Sequence, residues 1–191
     1  MTDGAPQTGL SWNCVARRIR VPLGFLFAAF YLWRARPDWQ SLIAGTLIAA
    51  LGVYVRALAS GHVRKNEDLA TTGPYAFCRN PLYLGSIIVA IGFAVAARDV
   101  WVAVGIVVLF TAIYVPVIRS EEAFLSRRFS QYEEYSKRVP RLLPRTIAFG
   151  GFAKGFSREL YLQHREYNAF IGAAAMLAAL VVKMLWFSGS W

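Results

Sequence analysis

The sequence predicts an all-α integral membrane protein with about five transmembrane helices and a cytoplasmic amphipathic helical segment between the fourth and fifth. Three observations carry this prediction. Apolar residues make up 57% of the 191 residues and charged residues only 17%. The apolar residues fall into five blocks of near-spanning length, since about 20 helical residues cross a hydrocarbon core of about 30 Å. The basic residues gather on alternate connections, as the positive-inside rule requires of a multi-pass chain.

The first block, roughly 18–33, centres on "VPLGFLFAAFYLW". It resembles a signal-type anchor in length but has no small-residue cleavage site, so it is read as a span. The second, roughly 41–59, is "SLIAGTLIAALGVYVRALA", and the third, roughly 82–97, is "LYLGSIIVAIGFAVAA". Only Arg98 and Asp99 separate the third from the fourth, 100–118, so these two helices form an antiparallel hairpin. The fifth, roughly 168–187, reads "NAFIGAAAMLAALVVKMLWF". With the N-terminus inside, all of the 21 basic residues except Arg34, Arg36, Arg98 and Lys183 lie on the cytoplasmic side. Trp33, Trp39, Trp101, Trp186 and Trp191 then form a belt at the opposite interface.

Between the fourth and fifth blocks, "EEAFLSRRFSQYEEYSKRV" places Phe124, Leu125, Phe129, Tyr132 and Tyr135 at helical spacings among charges, as an interfacial amphipathic helix does. Pro140 ends it. The chain reads as a single membrane domain, 1–191. It comprises a two-helix region (1–59), a core with the hairpin (60–145), and a linker with the C-terminal helix (146–191).

Several functions are excluded. Cys14 and Cys78 are far apart without His or Cys partners, so neither a disulfide framework nor a metal site is indicated. The net charge of +10 accompanies no nucleic-acid motif and belongs with anionic lipid on the cytoplasmic face. Cys78 reads as a packing residue, His62 and His164 as loop residues, and Lys183 as a lysine reaching out of the last span.

The hairpin returns "RSEEAFL" (119–125) to the side of the membrane where "GPYAFCRNPLY" (73–83) enters it. Arg79, Asn80 and Tyr83 thereby meet Arg119, Glu121 and Glu122. Carboxylates leaving a membrane helix are costly unless paired or used. A helix N-terminus suits an anionic group, while tyrosine faces and carboxylates suit a cation. S-adenosylmethionine, with its amino-acid group and sulfonium, uses all of these features; a nucleotide also fits them.

The two stretches "GPYAFCRNPLYLG" and "RSEEAFLSRRFSQYEEYSKRVPRLLP" resemble the core of the isoprenylcysteine carboxyl methyltransferase family, which is related to the membrane phospholipid methyltransferases. The family pattern runs G-x-Y, R-H-P-x-Y-x-G, an apolar hairpin, E-E-x-x-L, F-G-x-x-Y-x-x-Y and V-P-x-x-x-P, and the likeness covers about 60–145. The resemblance implies transfer of a methyl group from S-adenosylmethionine to a lipophilic, lipid-linked acceptor at the cytoplasmic face. It implies a cofactor pocket of Lys65, Leu69, Ala70, Tyr75, Arg79, Asn80, Pro81, Leu82, Tyr83 and Glu121, with Arg119, Glu121 and Glu122 as catalytic residues. Asn80 stands where the family has histidine, and asparagine cannot titrate. The acceptor stays open between an isoprenylcysteine-type carboxylate, a phospholipid amine and another lipid. Sterol reductases, which bind NADPH, share a related helix start and form the rival enzyme class. A non-catalytic scaffold and a small transporter are the other rivals.

Overall fold

The computed structural model describes residues 12–64, 68–144 and 155–188, with side chains over 22–64, 68–144 and 155–186. These residues form seven α-helices and, among the described residues, no strand. The helices are α1 (Trp12–Arg34), α2 (Trp39–Ser60), α3 (Pro81–Ala97), α4 (Val100–Arg128), α5 (Tyr132–Arg138), α6 (Arg158–Gln163) and α7 (Tyr167–Ser188). A 3₁₀ turn, Gly73–Ala76, lies between α2 and α3.

Helices occupy all five apolar blocks. By length and composition three of them, α2, α4 and α7, are candidate membrane spans. α3 is apolar but has only 17 residues. α1 opens with Arg17, Arg18 and Arg20, which dilute its apolar run. Large apolar side chains such as Leu47, Val107, Val108, Ile171 and Val182 are exposed, as lipid-facing positions are.

α2 and α3 approach almost backbone to backbone. A β-carbon on Gly92 would stand 2.6 Å from the Gly45 carbonyl oxygen and 2.6 Å from the Ala49 nitrogen. One on Gly52 would stand 2.6 Å from the Gly85 carbonyl oxygen. Two seven-residue glycine spacings, Gly45/Gly52 and Gly85/Gly92, thus face each other across an antiparallel seam. Small residues at such contacts let membrane helices gain van der Waals packing where lipid offers no hydrophobic drive.

One end of the bundle is closed by polar contacts. Asp38 caps α2 by accepting from the Ser41 N–H at 2.7 Å and pairs with Arg98. Asp99 caps α4 by accepting from the Trp101 and Val102 N–H groups, and binds Arg34 at 2.7 Å. Arg98 takes the left-handed conformation (φ 50°) between α3 and α4, which lets two residues close the hairpin. Lys183 of α7 does not simply reach toward solvent: its Nζ donates to the carbonyls of Leu32, Trp33 and Ala35, capping the end of α1. Trp33, Trp39, Trp101 and Trp186 are exposed around this end; Trp191 lies outside the described residues.

The amphipathic segment departs from a single interfacial helix. α4 runs on to Arg128, so Arg119, Glu121 and Glu122 belong to it rather than to the segment beyond. The chain breaks at Phe129 and turns back as α5. Tyr132, Tyr135 and Val139 are buried against Leu69, Leu125 and Phe129. The aromatic face read as meeting lipid is largely satisfied by folding onto the loop before α3.

Gly92→Ala is expected to cost about 2 kcal/mol or more, at the upper side of ordinary overpacking, because the atoms it meets are backbone. Gly172→Ala, with nothing within 4 Å of its β-carbon, serves as the near-neutral control; unfolding in mixed detergent micelles measures both. A second expectation concerns acid. The Ser41 backbone N–H leads the lowering of the Asp38 carboxyl. At Asp99 burial pushes upward, but the Val102 N–H and Arg34 outweigh it and hold the carboxyl low. Depressed carboxyls stabilise fully above their ordinary value of about 3.9, and that stability is lost as pH falls through the lowered one. Tm should drop below about pH 4, and drop less in an Asp38→Asn/Asp99→Asn variant.

Candidate functional site

At the opposite end from the Asp38–Arg98 and Asp99–Arg34 pairs, the start of α3 and the end of α4 enclose a cavity of about 790 Å³. Small-molecule sites run from about 300 to 1,000 Å³. Its apolar half is formed by Leu23, Gly24 and Phe27 of α1 with Leu109, Ile113 and Val117 of α4. Its polar half holds Arg56, Asp68, Tyr75, Arg79, Asn80, Tyr83, Glu121, Tyr132, Tyr135 and Glu166.

Gly73 starts this wall. Its φ of +59° favours glycine, and a β-carbon there would strike the His62 ring at 2.4 Å. The 3₁₀ turn then buries Tyr75, whose backbone carbonyl accepts from the Tyr135 hydroxyl at 2.7 Å. A strap from the end of α5 closes over the next residues. Arg79 N–H donates to the Pro140 carbonyl at 2.9 Å, and Asn80 Nδ2 donates to the Arg141 carbonyl at 3.1 Å. The buried Cys78 Sγ donates to the Leu142 carbonyl at 3.2 Å, so this cysteine is a packing and strap residue.

Glu122 organises the strap. It accepts from Arg141, closest at 2.6 Å, and from Asn80 Nδ2 at 3.3 Å, and it pairs with Arg79 at 3.6 Å. The partners of Glu122 are thus distant in sequence, not the nearby Arg127 and Arg128 of its own helix. Glu121, one position earlier, faces a different way around the helix and lies on the cavity wall. Among the described residues it has no ion-pair partner. Adjacent helical residues point about 100° apart, so one glutamate of the pair builds the wall and the other faces the cavity.

Asn80 precedes α3, yet its side chain does not cap the helix. Its side-chain amide donates to Glu122 and to the strap instead. Pro81 occupies the first helical position, where its missing N–H costs nothing, and Leu82 and Tyr83 of the same turn line the cavity. Tyr83 stands edge-on to Tyr114 at 5.4 Å.

The sequence-derived site residues divide accordingly. Leu69, Ala70, Tyr75, Arg79, Asn80, Leu82, Tyr83 and Glu121 lie on the cavity wall. Pro81 is buried beneath it. Glu122 stands behind it, as the strap's anchor. Arg119 is exposed and not on that wall. Lys65 lies outside the described residues.

Arg56 and Glu166 form an ion pair on the wall that sequence reading missed. The Arg56 guanidinium donates Nε and Nη2 to Glu166, closest at 2.8 Å, and Nη1 to the Leu82 carbonyl and the Ser86 hydroxyl. An arginine inside an apolar helix was the available signal for this pair. Nothing nearby in sequence pointed to its partner 110 positions on.

Burial pushes the Tyr75, Tyr132 and Tyr135 hydroxyls upward, so they stay protonated donors at neutral pH. Burial likewise raises the Cys78 thiol and keeps it from acting as a thiolate. The cavity's negative charge therefore comes from carboxylates.

A helical membrane protein with a charged, tyrosine-lined pocket at one end of its bundle is the class that fold and site define. Residues 39–132, about half of the chain, match the sequence model of the phospholipid methyltransferase family, and over that stretch the chain is related to it. It is similar to the nickel-cobalt-cadmium resistance protein NccN of Alcaligenes xylosoxydans xylosoxydans, with 36% identity over 121 residues, 63% of this chain and 53% of that protein. It is also similar to the cobalt-zinc-cadmium resistance protein CzcN of Cupriavidus metallidurans, with 32% identity over 139 residues, 69% of this chain and 64% of that protein. The chain thus spans between half and two thirds of the length of these relatives. No solved structure matches it significantly.

Glu122→Ala should release Arg79, Asn80 and Arg141 together. The expected loss is about 2 kcal/mol, less than the 3–5 of a fully buried pair because Arg141 is half exposed. Hydrogen exchange at the Arg79 amide, held by Pro140, should quicken, whereas amides along α2 should keep their protection.

Proposed function

We propose that this chain is an S-adenosylmethionine-dependent methyltransferase acting on a lipophilic acceptor. The observation that carries the reading is the pairing, within one cavity, of the start of α3, which the Asn80 side chain does not cap, with Glu121, a carboxylate free of ion pairs among the described residues. The helix start suits the ligand's carboxylate. Glu121 and the faces of Tyr75 and Tyr83 suit its ammonium and sulfonium. When bound, the cofactor supplies an activated methyl group.

The chain's own residues would position and desolvate. Asn80, fixed by Glu122 and the Arg141 carbonyl, holds the start of α3 in register with the strap. Tyr132 and Tyr135 cover the cavity and exclude water. Catalysis is then chiefly alignment for in-line displacement and electrostatic support. Arg119, off the cavity wall, would meet the acceptor from outside.

The acceptor would arrive sideways from the bilayer. A shallower groove of about 650 Å³ between α1 and α4 shares Leu23, Phe27 and Leu109 with the cavity and is almost wholly apolar. We take α1 and α3 to cross the membrane as well, giving five crossings. α3 meets α2 at one end through Ser41 and Ala96 and at the other through Arg56 and Leu82, so it reaches as far as the spanning α2. The surplus of basic residues at the cavity end supports an active site on the cytoplasmic face with the N-terminus inside.

The relatives' names concern metal resistance. Among the described residues no group of three or more His, Cys, Asp or Glu side chains is placed to hold a metal ion. The methyltransferase reading rests on the family and on the cavity.

Isothermal calorimetry in detergent is expected to show S-adenosylmethionine binding and no NADPH binding. Glu121→Ala and Tyr83→Ala should abolish it with Tm retained. Binding of NADPH alone, or wild-type affinity in both variants, overturns the assignment. Labelled-methyl transfer into a lipid extract then separates acceptors: base-labile label marks a carboxylate, and stable label in a headgroup marks an amine.

A further inference from the structure

The family match ends at residue 132, yet Glu166, on the turn between α6 and α7, stands on the cavity wall. The molecule invests several contacts in bringing it there. The Ser157 N–H donates to the Gly61 carbonyl at 3.0 Å, and the Phe156 ring lies against His62. Arg165 adopts a left-handed φ of 52° immediately before it, a conformation costly for a non-glycine residue. All of this delivers one carboxylate to one guanidinium, with both side chains mostly buried at 14% and 22% exposure.

Arg56 has a separate task. Its Nη1 holds the Leu82 carbonyl and the Ser86 hydroxyl, tying the first turns of α3 to α2. A β-carbon on Gly85 would meet its Cγ at 2.6 Å, so the stem is packed tightly along the seam. Arginine can do this work only as a cation. It thereby places a positive charge on the wall of a cavity proposed for a sulfonium, and like charges in such a space repel.

We infer that Glu166 is a charge-balancing residue of the cofactor site: supplied by the C-terminal segment, it neutralises Arg56 so that α3 can be held by a guanidinium without repelling a cationic ligand. Glu166 acts through Arg56, so it is a positioning residue and not a catalytic one. The inference rests on the S-adenosylmethionine reading above. It also gives the last helix a role in the site itself.

The test compares S-adenosylmethionine with S-adenosylhomocysteine, which lacks the methyl group and the sulfur's positive charge, by calorimetry on the full chain in detergent. Glu166→Gln uncovers the Arg56 charge. At separations on the order of 10 Å and an effective dielectric near 20, it should weaken the sulfonium ligand roughly tenfold relative to the thioether. Arg56→Gln uncovers Glu166 and should shift the ratio the opposite way. The double variant should return it to the wild-type value. A structural defect would lower both affinities together, so equal loss, or unchanged affinity for both, overturns the inference. Should a single variant fail to fold, the double variant decides: a wild-type ratio supports the inference and a ratio shifted against the sulfonium overturns it. Wild-type protein that binds neither ligand overturns the cofactor assignment and this inference with it.

Discussion

The contact between α2 and α3 sets the positions of everything else that bears on the site. Two helices that meet through Gly45, Gly52, Gly85 and Gly92 have almost no freedom to slide, because carbonyls and amides occupy the space that side chains would fill. This fixes the height of Arg56 against Leu82 and Ser86. It also fixes the level at which α3 begins, and so where Asn80, Leu82 and Tyr83 present themselves. In a bilayer such packing is the stabilising term that remains once hydrophobic burial between helices is removed. A looser, leucine-lined seam would hold the helices together but leave the start of α3 free to wander.

On that base the cavity is assembled from parts far apart in sequence. Residues 78–80 are hydrogen-bonded to 140–142, and Glu122 binds both from a third direction. The loop, the strap and α4 thus hold one another. The extra length of α4 is what makes this possible: at about 1.5 Å per residue, its ten residues beyond Ile118 extend it about 15 Å past the apolar stretch, with Glu121 and Glu122 in the first turn of that extension.

The hairpin, the five helical blocks and the convergence of 73–83 with 119–125 were legible because each rests on a local rule, whether apolar run length, a two-residue connector or antiparallel return. The cavity wall around Tyr75, Asn80, Tyr83 and Glu121 was legible through motif spacing. What escaped were choices made by tertiary geometry. Phe129, Tyr132 and Tyr135 have a period that suits a lipid interface equally well, and only the loop at Leu69 and the turn at Phe129 direct much of that face inward. The neighbours Glu121 and Glu122 look equivalent in sequence, yet about 100° of helical rotation gives them different work. The Arg56–Glu166 pair joins residues 110 apart and follows no periodic pattern.

Asn80 narrows what the site can do. Its amide donates toward Glu122 and toward the Arg141 carbonyl, a role a neutral histidine with a single N–H cannot fill alone. The strap is therefore held without a group that titrates near neutrality. The tyrosines stay protonated and Cys78 stays a thiol, so proton removal inside the cavity would fall to carboxylates. A carboxylate acceptor asks for no proton removal and needs only the alignment this wall provides. An amine acceptor has to lose a proton on methylation, and on the proposed reading Glu121, without an ion-pair partner among the described residues, would receive it. The same carboxylate that would face the sulfonium would then also serve as base, two demands that pull its charge in opposite directions. On the methyltransferase reading proposed above, an already anionic acceptor would make the lighter demand on this wall.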